Sequence, residues 1–389
     1  MKDTSVPRED AHSGQVHERP YALGVDAIDW DAAQRIGERI GGSGGRAQYE
    51  GVSTASLEPL VQDFARRVSN YTGLELSAEL PALEAVDRPA WIAANLKTMR
   101  PMLDPLTARL HSTGNGTSGL LSGPLRSASG FLLGAQVGAL TGVLSQRVLG
   151  QYDLALLDAS VPARLLLLAP NLTLTARNLG VDRDELVLWV TIHEITHAVQ
   201  FSGAPWLRGY LGGLLKELLD GLQLSITPRS RDDAGASGGG WRRPKLPDPS
   251  DLRDIVDRAR RGELLRMTLG DERWQLVERM QAAMSLIEGH AEHTMDAVGA
   301  EVLPSLPRLR EAMNRRRETR GLPWRVLERL LGLEMKLRQY EVGRRFCDAV
   351  VEQGGREALA RVWTGPEQLP SDDELKYPAR WLARTASAS

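Results

Sequence analysis

Most of this chain reads as helix. Apolar residues recur at three- and four-residue spacing over Ile28–Gly41, Ser56–Gly73 and Arg88–Leu110, the last interrupted by Pro101 and Pro105. Asn115–Gly123 reads as a loop. From Ser127 to Gln146 there is no charge, and Gly130, Gly134, Gly138 and Gly142 form a stripe at period four. Two short apolar runs bounded by turn residues, Tyr152–Leu157 and Arg164–Ala169, are the strand candidates. Helical periodicity returns from Asp182, continues over Trp206–Leu222, and breaks across the glycine- and proline-rich stretch Thr227–Ser250. Helices then dominate to the C-terminus. The pattern predicts a predominantly helical α+β protein with a small β-sheet. Residues 1–20 are expected to be a disordered tail, and residues 21–389 a single domain carrying a flexible insertion at about 227–250.

The helix after Asp182 carries the sequence His193-Glu194-Ile195-Thr196-His197. Two histidines four apart project from one helix face, roughly one turn apart, so both rings can bind one zinc ion. The glutamate between them is placed to act as general base. A bare H-E-x-x-H arises by chance in about one chain in a hundred of this length. The flanks sharpen it: Val190 to Val199 has uncharged residues everywhere except at the three functional positions. Asp182 can cap the helix, with Glu185 completing a capping box.

A catalytic zinc needs a third protein ligand and an open fourth position. The candidate region is Glu288-Gly289-His290-Ala291-Glu292-His293, within a second predicted helix from Asp271 to Val298. On a helical wheel Glu288 flanks the apolar stripe, His290 flanks its other edge, and His293 lies ~140° from the stripe's centre. A carboxylate at the margin of a core-facing stripe wants a cation. The expected ligands are therefore His193, His197 and Glu288, with His290 and then His293 as alternatives for the third. Glu288 is expected within roughly 2 to 5 Å of both ring nitrogens. Glu292, one turn on, is expected to support a ligating ring by a hydrogen bond.

Composition narrows the remaining choices. Of 389 residues, 42% are hydrophobic, enough for a sizeable core, and a net charge of −2 gives no global field for nucleic acid or acidic membranes. The basic run Asn314–Arg320 has no interleaved aromatics and reads as a solvated helix end. The single cysteine, Cys347, excludes an internal disulfide, and the polar N-terminus lacks an apolar secretory region, so the expectation is a cytoplasmic protein. The glycine-striped segment has modest mean hydropathy and reads as a buried helix that approaches a neighbour closely, not as a membrane span. Tyr340 and Arg344, one turn apart, are candidate donors to a developing oxyanion.

The arrangement of His193, Glu194, His197, Glu288 and Glu292 resembles the glutamate-zincin metallopeptidases, in which a later helix supplies a glutamate and an acidic residue one turn on. It is also similar to a family of actinobacterial zincin-like zinc metalloproteases that carry a deazaflavin-coenzyme biosynthesis label. The matching residues are Gly150–Asp153, Ala169–Leu172, His193–Phe201, Glu288–His293 and Trp381–Arg384. The resemblance covers nearly all of the chain after about residue 20. It implies a zincin-like fold with the sheet beside the H-E-x-x-H helix, one zinc per chain on His193 and His197, and Glu194 as base. The function expected is a zinc metallopeptidase acting on a peptide or small amide. A zinc-dependent amide or ester hydrolase of a small metabolite and a non-catalytic zinc-bound scaffold are the alternatives. The scaffold would show a closed site with a fourth protein ligand.

Overall fold

A computed structural model describes residues 28–42, 54–76, 79–112, 122–226, 270–318 and 333–386. The expected N-terminal tail, the insertion at 227–250 and most of the Asn115–Gly123 loop lie outside the described residues. The helices are α1 (Trp30–Gly41), α2 (Thr54–Thr72), α3 (Arg88–Ser112), α4 (Ser122–Ser145), α5 (Ala169–Leu179), α6 (Arg183–Gly203), α7 (Trp206–Ile226), α8 (Asp271–Val302), α9 (Leu306–Glu318), α10 (Leu333–Ala360), α11 (Asp372–Lys376) and α12 (Pro378–Ala386). The strands are β1 (Leu83–Val86), β2 (Gly150–Asp153) and β3 (Arg164–Leu168). The predominantly helical α+β class expected from the sequence is what the structure contains. Helix α3 runs on past both Pro101 and Pro105, where the sequence suggested interruption.

The sheet has the order β1-β3-β2, with β1 parallel and β2 antiparallel to the central β3. The four leucines Leu165–Leu168 of β3 are fully buried. Side chains alternate across a strand, so this run feeds both faces. Leu165 and Leu167 join a large core with α2, α6, α8 and α10, while Leu166 and Leu168 join a smaller one with α1 and α3. The sheet thus joins two hydrophobic layers, and α6 lies in the larger one.

One strand expectation needs correction. The second apolar run forms β3 as expected, but the first strand is Gly150–Asp153, not Tyr152–Leu157. Residues 154–157 leave the sheet because Arg208 of α7 donates to the Ala155 and Asp158 carbonyls at 3.0 and 2.7 Å, tying that backbone to a helix. Strand β1 went unrecognised in the sequence.

The glycine stripe of α4 is a contact surface. A Cβ at Gly134, Gly138 or Gly142 would collide with the α1 backbone at Asp29, Ala33 and Gly37 respectively. Away from this contact α4 leaves Phe131 and Leu132 exposed, and only 33% of the window Ala128–Ser145 is buried, so the helix is packed on one side. Overpacking such a crossing costs about 1–3 kcal/mol. Gly138→Ala should therefore lower unfolding stability by about that amount. Gly209→Ala, on an exposed position of α7 with nothing within 4 Å of the added carbon, should be neutral or gain up to ~1 kcal/mol from helix propensity. Chemical denaturation of both variants checks this, and equal effects would contradict the close α1–α4 packing.

Candidate metal centre

Helix α6 begins where the sequence suggested. The Asp182 carboxylate accepts from the Glu185 amide at 2.9 Å. The Glu185 carboxylate turns instead to the Ser305 hydroxyl, joining the helix start to the α8–α9 turn. Buried side chains surround α6 on most sides, including Leu186, Trp189, Ile192, Ile195 and Val199. His193 and His197 stand one turn apart, their rings edge to face with centroids 4.7 Å apart.

Helix α8 brings the third donor. Its Gly289 sits against Gly343 of α10 so closely that a Cβ on either residue would strike the other helix's backbone. This contact sets α8 against α10, and the residue before Gly289, Glu288, faces the two histidines of α6. Glu288 Oε2 lies 3.6 Å from His193 Nε2 and 3.5 Å from His197 Nε2, and the two Nε2 atoms are 3.2 Å apart. A tetrahedral ion with bonds of ~2.0–2.2 Å has donor–donor edges of about 3.3 to 3.6 Å, so the three atoms match one face of such a tetrahedron. Among the described residues, this trio is a group of His and Glu side chains that could hold a metal ion. Its side chains keep 20%, 11% and 19% exposure respectively, so the cluster opens toward solvent on one side.

The electrostatics of the trio favour a cation. Burial alone would raise the Glu288 carboxyl, but the two facing imidazoles outweigh it and hold it well below the usual carboxylate range. Burial would likewise depress His197, yet the Glu288 charge and hydrogen bonds push it up to about 9. Glu194, 6% exposed, is raised by burial, with both histidines pulling partly the other way.

Glu194 sits between α6 and β2. The Tyr152 amide donates to its Oε2 at 2.7 Å. Gly150 leaves room for it, since a Cβ there would come within 2.8 Å of Glu194 Oε1 and 2.6 Å of Val190. Of the two strand candidates in the sequence, the second, Arg164–Ala169, forms β3. That strand is central, paired on both edges, and the strand at Glu194 is the edge strand β2. Leu149 accepts from the Leu168 amide. In antiparallel alternation residues 149, 151 and 153 then point their backbone groups at β3, and 150 and 152 point theirs at the open edge.

The other sequence candidates lie elsewhere. The Nδ1 of His197 is 2.9 Å from Gln200 Oε1, the position where Glu292 was expected to help. Glu292 is buried with its carboxylate 3.7 Å from Arg310 Nη1, and Arg310 also pairs with Asp296. His290 is buried below the trio, its Nδ1 2.9 Å from Gln200 Nε2 and its ring against Trp363. Burial, and then the nearby His293 and His197, lower its pKa to about 3, so it is neutral. His293 points away, as its place on the wheel suggested, with Nε2 2.8 Å from the Tyr71 hydroxyl and Nδ1 2.6 Å from Asp348. Arg344, considered as an oxyanion donor, lies 3.5 Å from both Asp296 and Asp348. The side chain of Tyr340 lies outside the described residues. Cys347 is a buried free thiol. Sequence reasoning missed Gln200, Gly150 and the Tyr152 amide. Gln200 had a signal: three residues after His197 it shares that helix face.

A crystal structure from Chloroflexus aurantiacus, described as "a putative hydrolase with a novel fold", is similar over 92% of this chain and 99% of that one, at 28% identity and a TM-score of 0.61. No curated protein matches the chain. The profile of the zincin-like metallopeptidase family matches residues 28–382, a span that contains His193, Glu194, His197 and Glu288, and the chain belongs to that family.

Proposed function

We propose that this protein is a zinc-dependent hydrolase that binds one zinc ion through His193, His197 and Glu288 and cleaves amide bonds, peptides foremost, with Glu194 as general base. The observation that carries the reading is the donor triangle of 3.2, 3.5 and 3.6 Å with one open side. Zinc, when bound, supplies Lewis acidity that polarises a carbonyl and makes water acidic enough to react near neutral pH.

The chain's own residues supply the rest. Tyr152 occupies one oxygen of Glu194, leaving the other to take a proton from the attacking water and pass it to the leaving amine. Burial raises the proton affinity of Glu194 toward what such a shuttle needs. Gly150 keeps the space around that second oxygen open. With the Tyr152 amide taken by Glu194, the outward backbone groups of Gly150 and the Tyr152 carbonyl, on an edge of β2 that pairs with no strand among the described residues, offer an extended peptide backbone a partner next to the base. The non-catalytic scaffold is disfavoured by His290 and His293, whose ring nitrogens engage Gln200, Tyr71 and Asp348 and leave the fourth position without a protein donor from either.

Three outcomes follow. His193→Ala and His197→Ala should each abolish stoichiometric zinc, measured by elemental analysis after dialysis, and zinc retained in the double variant would remove the assignment. Glu194→Gln should keep zinc and fold while losing turnover by ~10²–10⁴-fold in a peptide-library assay. Near-wild-type turnover in that variant would exclude Glu194 as base. Metal binding must displace the proton that metal-free His197 holds up to about pH 9, so zinc affinity should fall steadily as pH is lowered from there. Affinity that does not change with pH across that range would count against His197 as a ligand.

A further inference from the structure

The Ile287 carbonyl fixes which way round the buried Gln200 amide sits. A carbonyl can only accept, so the amide atom 2.9 Å from it is the nitrogen. The second hydrogen of that nitrogen is directed at His290 Nδ1, also at 2.9 Å. The indole Nε1 of Trp363 approaches the other nitrogen of the same ring at 3.3 Å. With the amide nitrogen fixed by the Ile287 carbonyl, Gln200 donates to His290 Nδ1, and the Trp363 approach to Nε2 is the longer of the two contacts on that ring. Gln200 Oε1 is left facing His197 Nδ1.

From this geometry we infer that Gln200 is a positioning residue that sets the tautomer of His197. The inference rests on the metal reading above. An amide oxygen at Nδ1 requires a proton there, so a neutral His197 presents its lone pair from Nε2. Nε2 is the atom that faces His193 and Glu288. With the amide reversed, Oε1 would oppose the Ile287 carbonyl and the NH₂ group would donate to Nδ1. That would move the ring proton to Nε2, where it blocks a metal. Gln200 is 0% exposed, so no water competes for these bonds.

The arrangement ties two ligands together. Ile287 immediately precedes Glu288, so the turn of α8 that delivers the third ligand also orients, through Gln200, the second ligand on α6. Displacing α8 would remove the carboxylate and release the His197 tautomer at once.

The test uses the full chain with two substitutions. Gln200→Met keeps the shape and removes all three hydrogen bonds. Gln200→Glu keeps an oxygen acceptor for His197 Nδ1 in either protonation state. Zinc affinity is read by competition with a chromophoric chelator, with circular dichroism to check the fold. Gln200→Met should bind zinc ~10–100-fold more weakly while Gln200→Glu stays near wild type. Wild-type affinity in Gln200→Met, or equal losses in both folded variants, would overturn the inference. A wild type that takes up no zinc would instead sink the metal reading. In that case ¹⁵N-histidine spectra of the metal-free proteins decide on Gln200. A His197 Nδ1 proton protected from exchange in wild type and Gln200→Glu, and unprotected in Gln200→Met, supports the inference. Equal protection in all three overturns it.

Discussion

A carboxylate and two imidazoles within 3.6 Å of one another, largely shielded from water, impose a strict condition on everything around them. Taking an ionised carboxylate out of water costs several kcal/mol unless positive charge comes close. Metal-free, the protein meets the condition by keeping a proton on His197 opposite an ionised Glu288. A dication in the same place satisfies both rings and the carboxylate together. The helices are arranged to keep that triangle small. Buried apolar residues hold α6, Gln200 of α6 donates to the Ile287 carbonyl of α8 at 2.9 Å, and Gly289 and Gly343 bring α8 into backbone contact with α10.

The sheet contributes position more than mass. Its central strand spends all four leucines on two cores, which fixes β3 and, through the pairing of Gly150 with Leu167 and Tyr152 with Leu165, fixes β2. Strand β2 then passes over α6 at the one residue without a side chain, Gly150, and spends the next outward amide, that of Tyr152, on Glu194. The proposed base is therefore held from both its own helix and an edge strand. The network Tyr71–His293–Asp348 and the ion pairs of Arg310 and Arg344 with Asp296 knit the other face of α8 to α2, α9 and α10.

What could be read from the sequence was what depends on neighbours along a helix. The four-residue spacing of His193 and His197, the Asp182 cap and the place of Glu288 on the margin of an apolar stripe are all local, and each is found where that reasoning put it. Glu292 illustrates the limit. Its wheel position next to Glu288 suggested a ring partner, but a residue 18 positions later, Arg310 on α9, folds back toward it. Strand β2 starts at Gly150, where it pairs with Leu167, and ends at Asp153 and not at Leu157 because the Ala155 carbonyl is claimed by Arg208, more than fifty positions downstream. Strand β1 has four residues, too few to show a period, and exists because β3 pairs with it. Gln200 was within reach, since helix geometry alone puts it over His197, whereas its two partners on α8, Ile287 and His290, could not be seen.

The central claim is that these three side chains hold one metal ion. Crystals grown with zinc and measured on both sides of the zinc absorption edge test it most directly. The account predicts one anomalous peak per chain, at ~2.0–2.2 Å from His193 Nε2, His197 Nε2 and a Glu288 oxygen, with the fourth position facing solvent. A peak centred on His290 or His293, or none at the triangle in the presence of saturating zinc, would contradict it.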